Sequence, residues 1–182
     1  GLCLTFASIS SFAATPEAEI RLTFNDKKPR IVKVEVKWQA QSPHVRVADW
    51  GAEQFTDGWA HFIKDLSVTD AQNQTLTAKF DGKNKWVTNA KAGQQVTLRY
   101  TVDMSHDQHA WPHGLDEITY VKDDAVFSTG QALFVVPDDA EKFTVIFDLP
   151  KTWKSSTPWQ KSNLSYVVDS YDSLVYNVMM VG

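Results

Sequence analysis

The sequence predicts an all-β fold, an antiparallel β-sandwich carrying at most one short helix. Two stretches alternate strictly, as half-buried strands do. Val32, Val34, Val36 and Trp38 interleave with Lys33, Glu35 and Lys37, and Val96, Leu98, Tyr100, Val102 and Met104 repeat the pattern. About a dozen short apolar runs recur at a spacing of roughly 8–12 residues, as in sandwiches. Against them stands one window of helical period, Trp59, Phe62, Ile63 and Leu66 at i, i+3, i+4 and i+7, with Asp57 as candidate N-cap.

Taken in order, Ile20, Leu22 and Phe24 alternate with Arg21 and Thr23, and Asn25–Pro29 forms the turn into Val32–Trp38, a hairpin. His44–Ala48 is a short strand, and Trp59–Leu66 a short helix or helical turn. Leu66–Asp70 and Thr75–Phe80 flank the turn Ala71-Gln72-Asn73-Gln74. Lys85-Trp86-Val87 follows the turn at Asp81-Gly82, and Val96–Met104 follows Gly93. The centre of the chain is Trp111 to Val136. Its apolar runs Ile118–Val121, Ala125–Phe127 and Ala132–Val136 are broken by Lys122-Asp123-Asp124 and Ser128-Thr129-Gly130. The unbroken run Leu133–Val136 reads as a strand buried on both faces. Phe143–Leu149, Leu164–Asp169 and Leu174–Val181 complete the strands.

With 182 residues the chain can bury a sizeable core without covalent staples. Its 18 Lys+Arg against 22 Asp+Glu leave a net charge of −4, and no basic run of five occurs. Nucleic acid is therefore not an expected partner. Residues 1–14, GLCLTFASISSFAA, are apolar and uncharged and place small residues at Ser11-Phe12-Ala13, which reads as the remnant of a secretory signal. The expectation is export, to the periplasm or beyond, with residues 15–182 forming one β-sandwich domain. The single cysteine, Cys3, lies inside that remnant. No stretch approaches the ~20 apolar residues of a membrane span.

Chemistry-bearing patterns are sparse. His106, His109 and His113, with Asp103 and Asp107, have the residue types of a transition-metal site, but Pro112 and Gly114 oppose the helix that would align them. A solvated polar loop is the preferred reading, with metal ligation by the three histidines as the alternative. No His-Glu-x-x-His, Gly-x-Ser-x-Gly or phosphate-binding glycine loop is present. Carboxylates such as Asp116 and Glu117 sit near aromatics, as chance allows in an acidic chain. Trp50, Trp59, Trp86, Trp111, Trp153 and Trp159 could stack sugars from a flat platform, or pack the core. Asn73-Gln74-Thr75 and Asn163-Leu164-Ser165 match the glycosylation triplet.

The order of landmarks carries a resemblance. ADWGAEQFTDGW around Trp50 is followed by FIKDLSV, a lone KW, VTLRYTVD, TGQALFVV, FDLPKTW and a closing SYDSLVYNVMMVG. From about Arg21 to Gly182 the chain resembles the N-terminal domain of the glycyl aminopeptidase family, exported zinc metallopeptidases of the gluzincin type. It departs from that pattern at Asp49-Trp50-Gly51, which lacks the usual Pro-Gly, and at Leu174, where Pro is common. The resemblance implies a non-catalytic β-sandwich that supports a catalytic domain of the same polypeptide and shapes its peptide-substrate cleft. Zinc would then belong to that catalytic domain and no cofactor to this chain. It further implies that Thr129, Gly130 and Gln131 face the substrate's free amine, Gln131 offering a carbonyl acceptor. The competing reading of these three is a hairpin turn with Gly130 at positive φ and Gln131 solvated. The competing function is a free-standing extracytoplasmic module that binds glycan or peptide.

Overall fold

The computed structural model describes residues 15–112, 118–122 and 124–182. The expected secretory remnant 1–14, with Cys3, lies outside the described residues, as do His113, Asp116 and Glu117. The strands are β1 (Glu17–Thr23), β2 (Ile31–Gln39), β3 (His44–Arg46), β4 (Ile63–Asp70), β5 (Thr75–Leu76), β6 (Ala78–Phe80), β7 (Lys85–Thr88), β8 (Gln95–Asp103), β9 (Tyr120–Lys122), β10 (Ala125–Thr129), β11 (Val136–Pro137), β12 (Lys142–Asp148), β13 (Ser155–Ser156), β14 (Gln160–Ser162), β15 (Ser165–Val168) and β16 (Val178–Val181). A six-residue helix, α1 (Tyr171–Tyr176), and 3-10 turns at Gly58–Phe62, His106–Gln108 and Gly130–Ala132 accompany them.

Eight strands form one sheet in the order β14-β15-β12-β1-β2-β8-β4-β5, and two four-stranded sheets run β13-β16-β10-β9 and β11-β3-β7-β6. The all-β class is as the sequence predicts. The β1–β2 hairpin forms with Ile20 opposite Val36, and β2 pairs with β8 over its whole length. The one exception to antiparallel order among the described pairs is β1 with β12, which run parallel with Ile20 opposite Val145.

Alternation does the sorting. Ala18, Ile20 and Leu22, Val32 to Trp38, and Val96 to Val102 put their buried positions on one face of the large sheet. They share one apolar cluster with Val45, Val47 and Trp86 of one small sheet and Val126, Met179 and Val181 of the other. The opposite face is polar: Glu35 on β2 pairs with Arg99 on β8 at 2.8 Å and with Lys37 at 2.8 Å. The run Thr75–Phe80 is divided between two sheets, β5 in the large one and β6 in a small one. Between them the Thr77 amide donates to Asn89 Oδ1 at 2.9 Å instead of to a strand.

Three local expectations are corrected. The helical turn expected over Trp59–Leu66 is present but shorter, a 3-10 turn ending at Phe62, and β4 begins at Ile63. Asp57 makes no capping bond there. Trp59 and Phe62 satisfy the helical spacing because both are buried, at 1% exposure, on a turn that leads straight into a strand. The Leu174–Val181 strand is a helix followed by a strand. Ser170 caps α1 by accepting from the Ser173 amide at 3.1 Å, and Leu174 and Val175 pack inward.

The third correction concerns Leu133–Val136, which is fully buried but not a strand over most of its length. Thr129 ends β10, and Gly130–Ala132 turns the chain beneath α1. The Leu133 and Phe134 amides both donate to the Gly130 carbonyl, at 3.0 Å each. Next, the buried phenol of Tyr100 on β8 donates to the Leu133 carbonyl at 2.9 Å and accepts from the Val135 amide at 2.8 Å. One side chain thus stands in for a neighbouring strand, and burial pushes its own ionisation well above the usual range.

Tyr100→Phe keeps the ring and leaves a buried carbonyl and a buried amide unpaired. It should lower unfolding free energy by about 2 kcal/mol or more in urea titration, with the slope unchanged. Gly130→Ala should cost about 3 kcal/mol in the same assay, because a Cβ there would overlap the Leu174 carbonyl oxygen and lie 2.8 Å from its carbon. Loss of less than about 1 kcal/mol in either variant would contradict the geometry.

Candidate functional site

Polar groups are buried in very few places, and most of those places adjoin one another. Among the described residues, His106, Thr119, Ser128, Thr129 and Gln131 are buried polar side chains of the segment between β8 and the Gly130 turn, and Thr88 on β7 is the remaining one. Thr88 is accounted for by its hydroxyl donating to the Pro43 carbonyl at 2.9 Å.

His106, Thr119, Ser128 and the Thr129 carbonyl form a chain of hydrogen bonds. The Thr119 amide donates to His106 Nδ1 at 3.1 Å. The Thr119 and Ser128 hydroxyls meet at 2.6 Å, and Ser128 donates to the Thr129 carbonyl at 3.1 Å. Since the Ser128 proton is committed there, Thr119 is the donor in the short contact. Because Nδ1 accepts, the neutral imidazole of His106 carries its proton on Nε2, which has no hydrogen-bond partner. The ring is walled by Phe62 at 4.2 Å and Trp59 at 5.5 Å between centroids. Burial pushes its pKa down to about 3. Trp111 secures the turn by donating from Nε1 to the His106 carbonyl at 2.7 Å. Arg30 forks onto both oxygens of Asp107 and reaches the Val121 carbonyl at 3.4 Å, tying the turn to β9.

His106 is therefore a buried member of the loop the sequence reads as solvated, whereas Gln108, His109 and Ala110 are exposed. Of the metal alternative's three histidines, His113 lies outside the described residues. His106 has one ring nitrogen occupied and the other enclosed by rings, and His109 packs edge-on against Phe55 and Phe62 at 5.4 Å each. No group of three His, Cys, Asp or Glu among the described residues could hold a metal ion.

Thr129, Gly130 and Gln131 are all buried, so the solvated-turn reading fails as well. Gly130 is required by closeness to α1 and not by positive φ. Gln131 is 2% exposed, and neither its amide nitrogen nor its carbonyl oxygen has a hydrogen-bond partner. Such a group is costly in a core and is retained where something else benefits. Thr119, Ser128 and buried His106 were not singled out by the sequence as a network. The available signal was Thr119 and Ser128 at inward positions flanking apolar runs.

The tryptophans make no exposed platform. Trp59, Trp86, Trp153 and Trp159 are buried, and Trp50 and Trp111 half-buried. Trp50 and Trp59 line a cleft of about 380 Å³ with Asp49, Glu53 and Asn84, but Trp59 Nε1 is committed to the Trp50 carbonyl at 2.6 Å. The glycosylation triplets have a backbone explanation: Asn73 and Asn163 sit in left-handed turns at φ 59° and 54°, where Asn is tolerated.

The His106 environment has a measurable consequence. Its folded pKa lies below the ordinary 6.5, so between pH 6.5 and about 3 the unfolded chain binds a proton that the native one refuses. Stability should fall on acidification by at most about 1.4 kcal/mol per pH unit from this group. His106→Asn, which keeps an acceptor near the Nδ1 position, should unfold more easily at pH 7 yet show a slope shallower by about one proton between pH 6 and 4. An unchanged slope would mean His106 is not neutral in the native state.

Comparison with known proteins places this geometry. The family model described as "Peptidase M61 N-terminal domain" matches residues 19–182. A search of curated proteins found no match. Among solved structures, an aminopeptidase N family protein from Idiomarina loihiensis superposes with TM-score 0.71 at 19% identity, over 91% of this chain and 29% of that one. An M1 zinc metallopeptidase from Deinococcus radiodurans gives 0.51 at 11%, over 92% and 42%. Native leukotriene A4 hydrolase from Saccharomyces cerevisiae gives 0.50 at 10%, over 93% and 28%. At these identities the structures share the fold, and this chain spans less than half the length of each. On the family match over nearly its whole length, the chain belongs to the peptidase M61 N-terminal domain family.

Proposed function

We propose that the chain is the non-catalytic N-terminal domain of an exported zinc aminopeptidase of the glycyl aminopeptidase type. It supports a catalytic domain of the same polypeptide and forms part of the wall of its peptide-substrate cleft. In this reading zinc is held by that catalytic domain. The balanced charge offers nothing to nucleic acid, and no helix among the described residues is long and apolar enough to cross a membrane.

The observation that carries the reading is Gln131. A core position that could hold Met or Leu holds an amide with both polar atoms unpaired. In the proposed role, Oε1 accepts a hydrogen bond from the substrate's ammonium group, while Gly130 and Thr129 fix the turn that presents it. At 2% exposure the amide is not on the surface of the domain by itself. A substrate amine therefore reaches it through displacement of what covers it.

Substitution separates function from structure because the two should move in opposite directions. In the chain alone, Gln131→Met should raise unfolding free energy by about 1 kcal/mol, since an unpaired buried amide is removed. In the full-length parent, Gln131→Met or Gln131→Ala should raise KM for free-amine substrates about tenfold, the ~1.4 kcal/mol scale of one hydrogen bond to a charged group. N-blocked substrates should be indifferent. Unchanged kinetics together with lost stability would make Gln131 a structural residue. A coding sequence downstream of Gly182 without His-Glu-x-x-His would remove the peptidase assignment altogether.

A further inference from the structure

Seven large apolar side chains are exposed among the described residues, and three of them, Phe127, Val178 and Met180, occupy one patch. Val178 and Met180 are alternate residues of β16 and share a face of the β13-β16-β10-β9 sheet. Met180 stands opposite Phe127 on β10, and Phe127 opposite Tyr120 on β9, their rings 6.5 Å apart. Tyr176, 61% exposed at the end of α1, stacks on Trp50 at 5.2 Å. The sheet face is thus apolar across three adjacent strands. The outer face of the eight-stranded sheet, by contrast, carries Glu35, Lys37 and Arg99 in ion pairs. Scattered exposed apolar residues need no explanation, whereas a contiguous stripe marks a surface that is covered in use.

We propose that this stripe is the docking face for the domain that follows Gly182 in the parent polypeptide. The inference rests on the two-domain parent proposed above. Three observations select this occupant over a second copy of the chain. The matching family is described as an N-terminal domain, and the chain covers only 29% and 42% of two matched structures, so proteins of this kind carry more polypeptide than this fold. The stripe lies on β16, so a domain continuing from it is tethered beside the face at high effective concentration. And the stripe runs toward the site: Val178 stands opposite Thr129, two residues before Gln131. A domain seated there meets the turn that holds the unpaired amide.

The test uses the full-length parent with Val178→Lys and Met180→Lys together, read by calorimetry and by limited proteolysis between the domains. The expected result is that one cooperative transition separates into two and that cleavage at the junction speeds at least tenfold. The same pair in the 182-residue chain should leave its Tm within a few degrees, since both side chains already face solvent. If the lysine pair unfolds the short chain, Val178→Thr with Met180→Gln gives the same readout with a gentler change. A single unshifted transition with unchanged cleavage overturns the proposal. So does a parent that sediments as a dimer and becomes monomeric in the variant while its domains stay coupled, because the occupant is then a second copy. Neither readout uses activity. A downstream domain without a zinc motif would sink the peptidase assignment and leave the docking result standing.

Discussion

The two hydrogen bonds of the Tyr100 hydroxyl are the constraint on which the centre of this domain depends. A chain segment that crosses a core without pairing as a strand must still satisfy its amides and carbonyls. Leu133–Val135 does so through the phenol of β8, which answers the Leu133 carbonyl and the Val135 amide at once. Freed from strand geometry, the residues before it can turn. Gly130–Ala132 folds under α1, with the Gly130 amide donating to the Asn177 carbonyl at 3.1 Å. The helix in turn holds its own carbonyls: Ser173 is capped by Asn177 Nδ2 at 2.7 Å and by Trp159 Nε1 at 2.9 Å. Every member of this assembly is a substitute for ordinary sheet pairing. That is why one residue without a side chain is obligatory where it meets the helix.

The polar layer beside that turn shows how unevenly the core tolerates buried polarity. Thr119, Ser128 and the Nδ1 side of His106 are answered by hydrogen bonds, so their burial costs little. The Nε2 proton of His106 faces a wall of aromatic rings, and Gln131 has neither of its amide atoms answered. In a domain whose other buried positions are almost entirely apolar, these two stand at the two ends of the segment between β8 and the Gly130 turn. Structure alone would favour hydrocarbon there, so the pair marks the places where another requirement has outweighed stability.

Legibility followed the physics of alternation. Where a strand has one wet face, as in β1, β2 and β8, period two is written into the sequence and the register could be read. At 130–136 both faces are buried, so period vanishes and an apolar run looks the same whether it is a strand or a turn held by a tyrosine. At 171–176 the helix is shorter than two turns, too brief to show a 3.6 period, although Ser170 as N-cap was there to see. Leu174 also becomes intelligible: its amide donates to the Ser170 carbonyl at 3.1 Å, a bond that proline could not make. Of the site, Thr129, Gly130 and Gln131 were reached by resemblance, and their burial was invisible because Gln and Thr ordinarily signal solvent. The burial of His106 was invisible for the same reason.

The surfaces this domain leaves open are graded in a consistent way. The edges of its largest sheet are short and polar, three exposed residues in β14 and two residues in β5. Such edges resist unwanted strand addition. The broad face of that sheet is laced with opposite charges, Arg21 and Lys37 flanking Glu35 in register with Arg99. Charge of that kind stays hydrated and gains little from being covered. Only the outer face of the β13-β16-β10-β9 sheet is apolar over several adjacent strands. A fold that guards its edges and wets its largest face has few directions in which to meet a permanent neighbour. The direction left open is also the one where β16 pairs with Thr129, two residues before the unpaired amide of Gln131, so the proposed docking face and the proposed amine contact share one stretch of β10 and its turn.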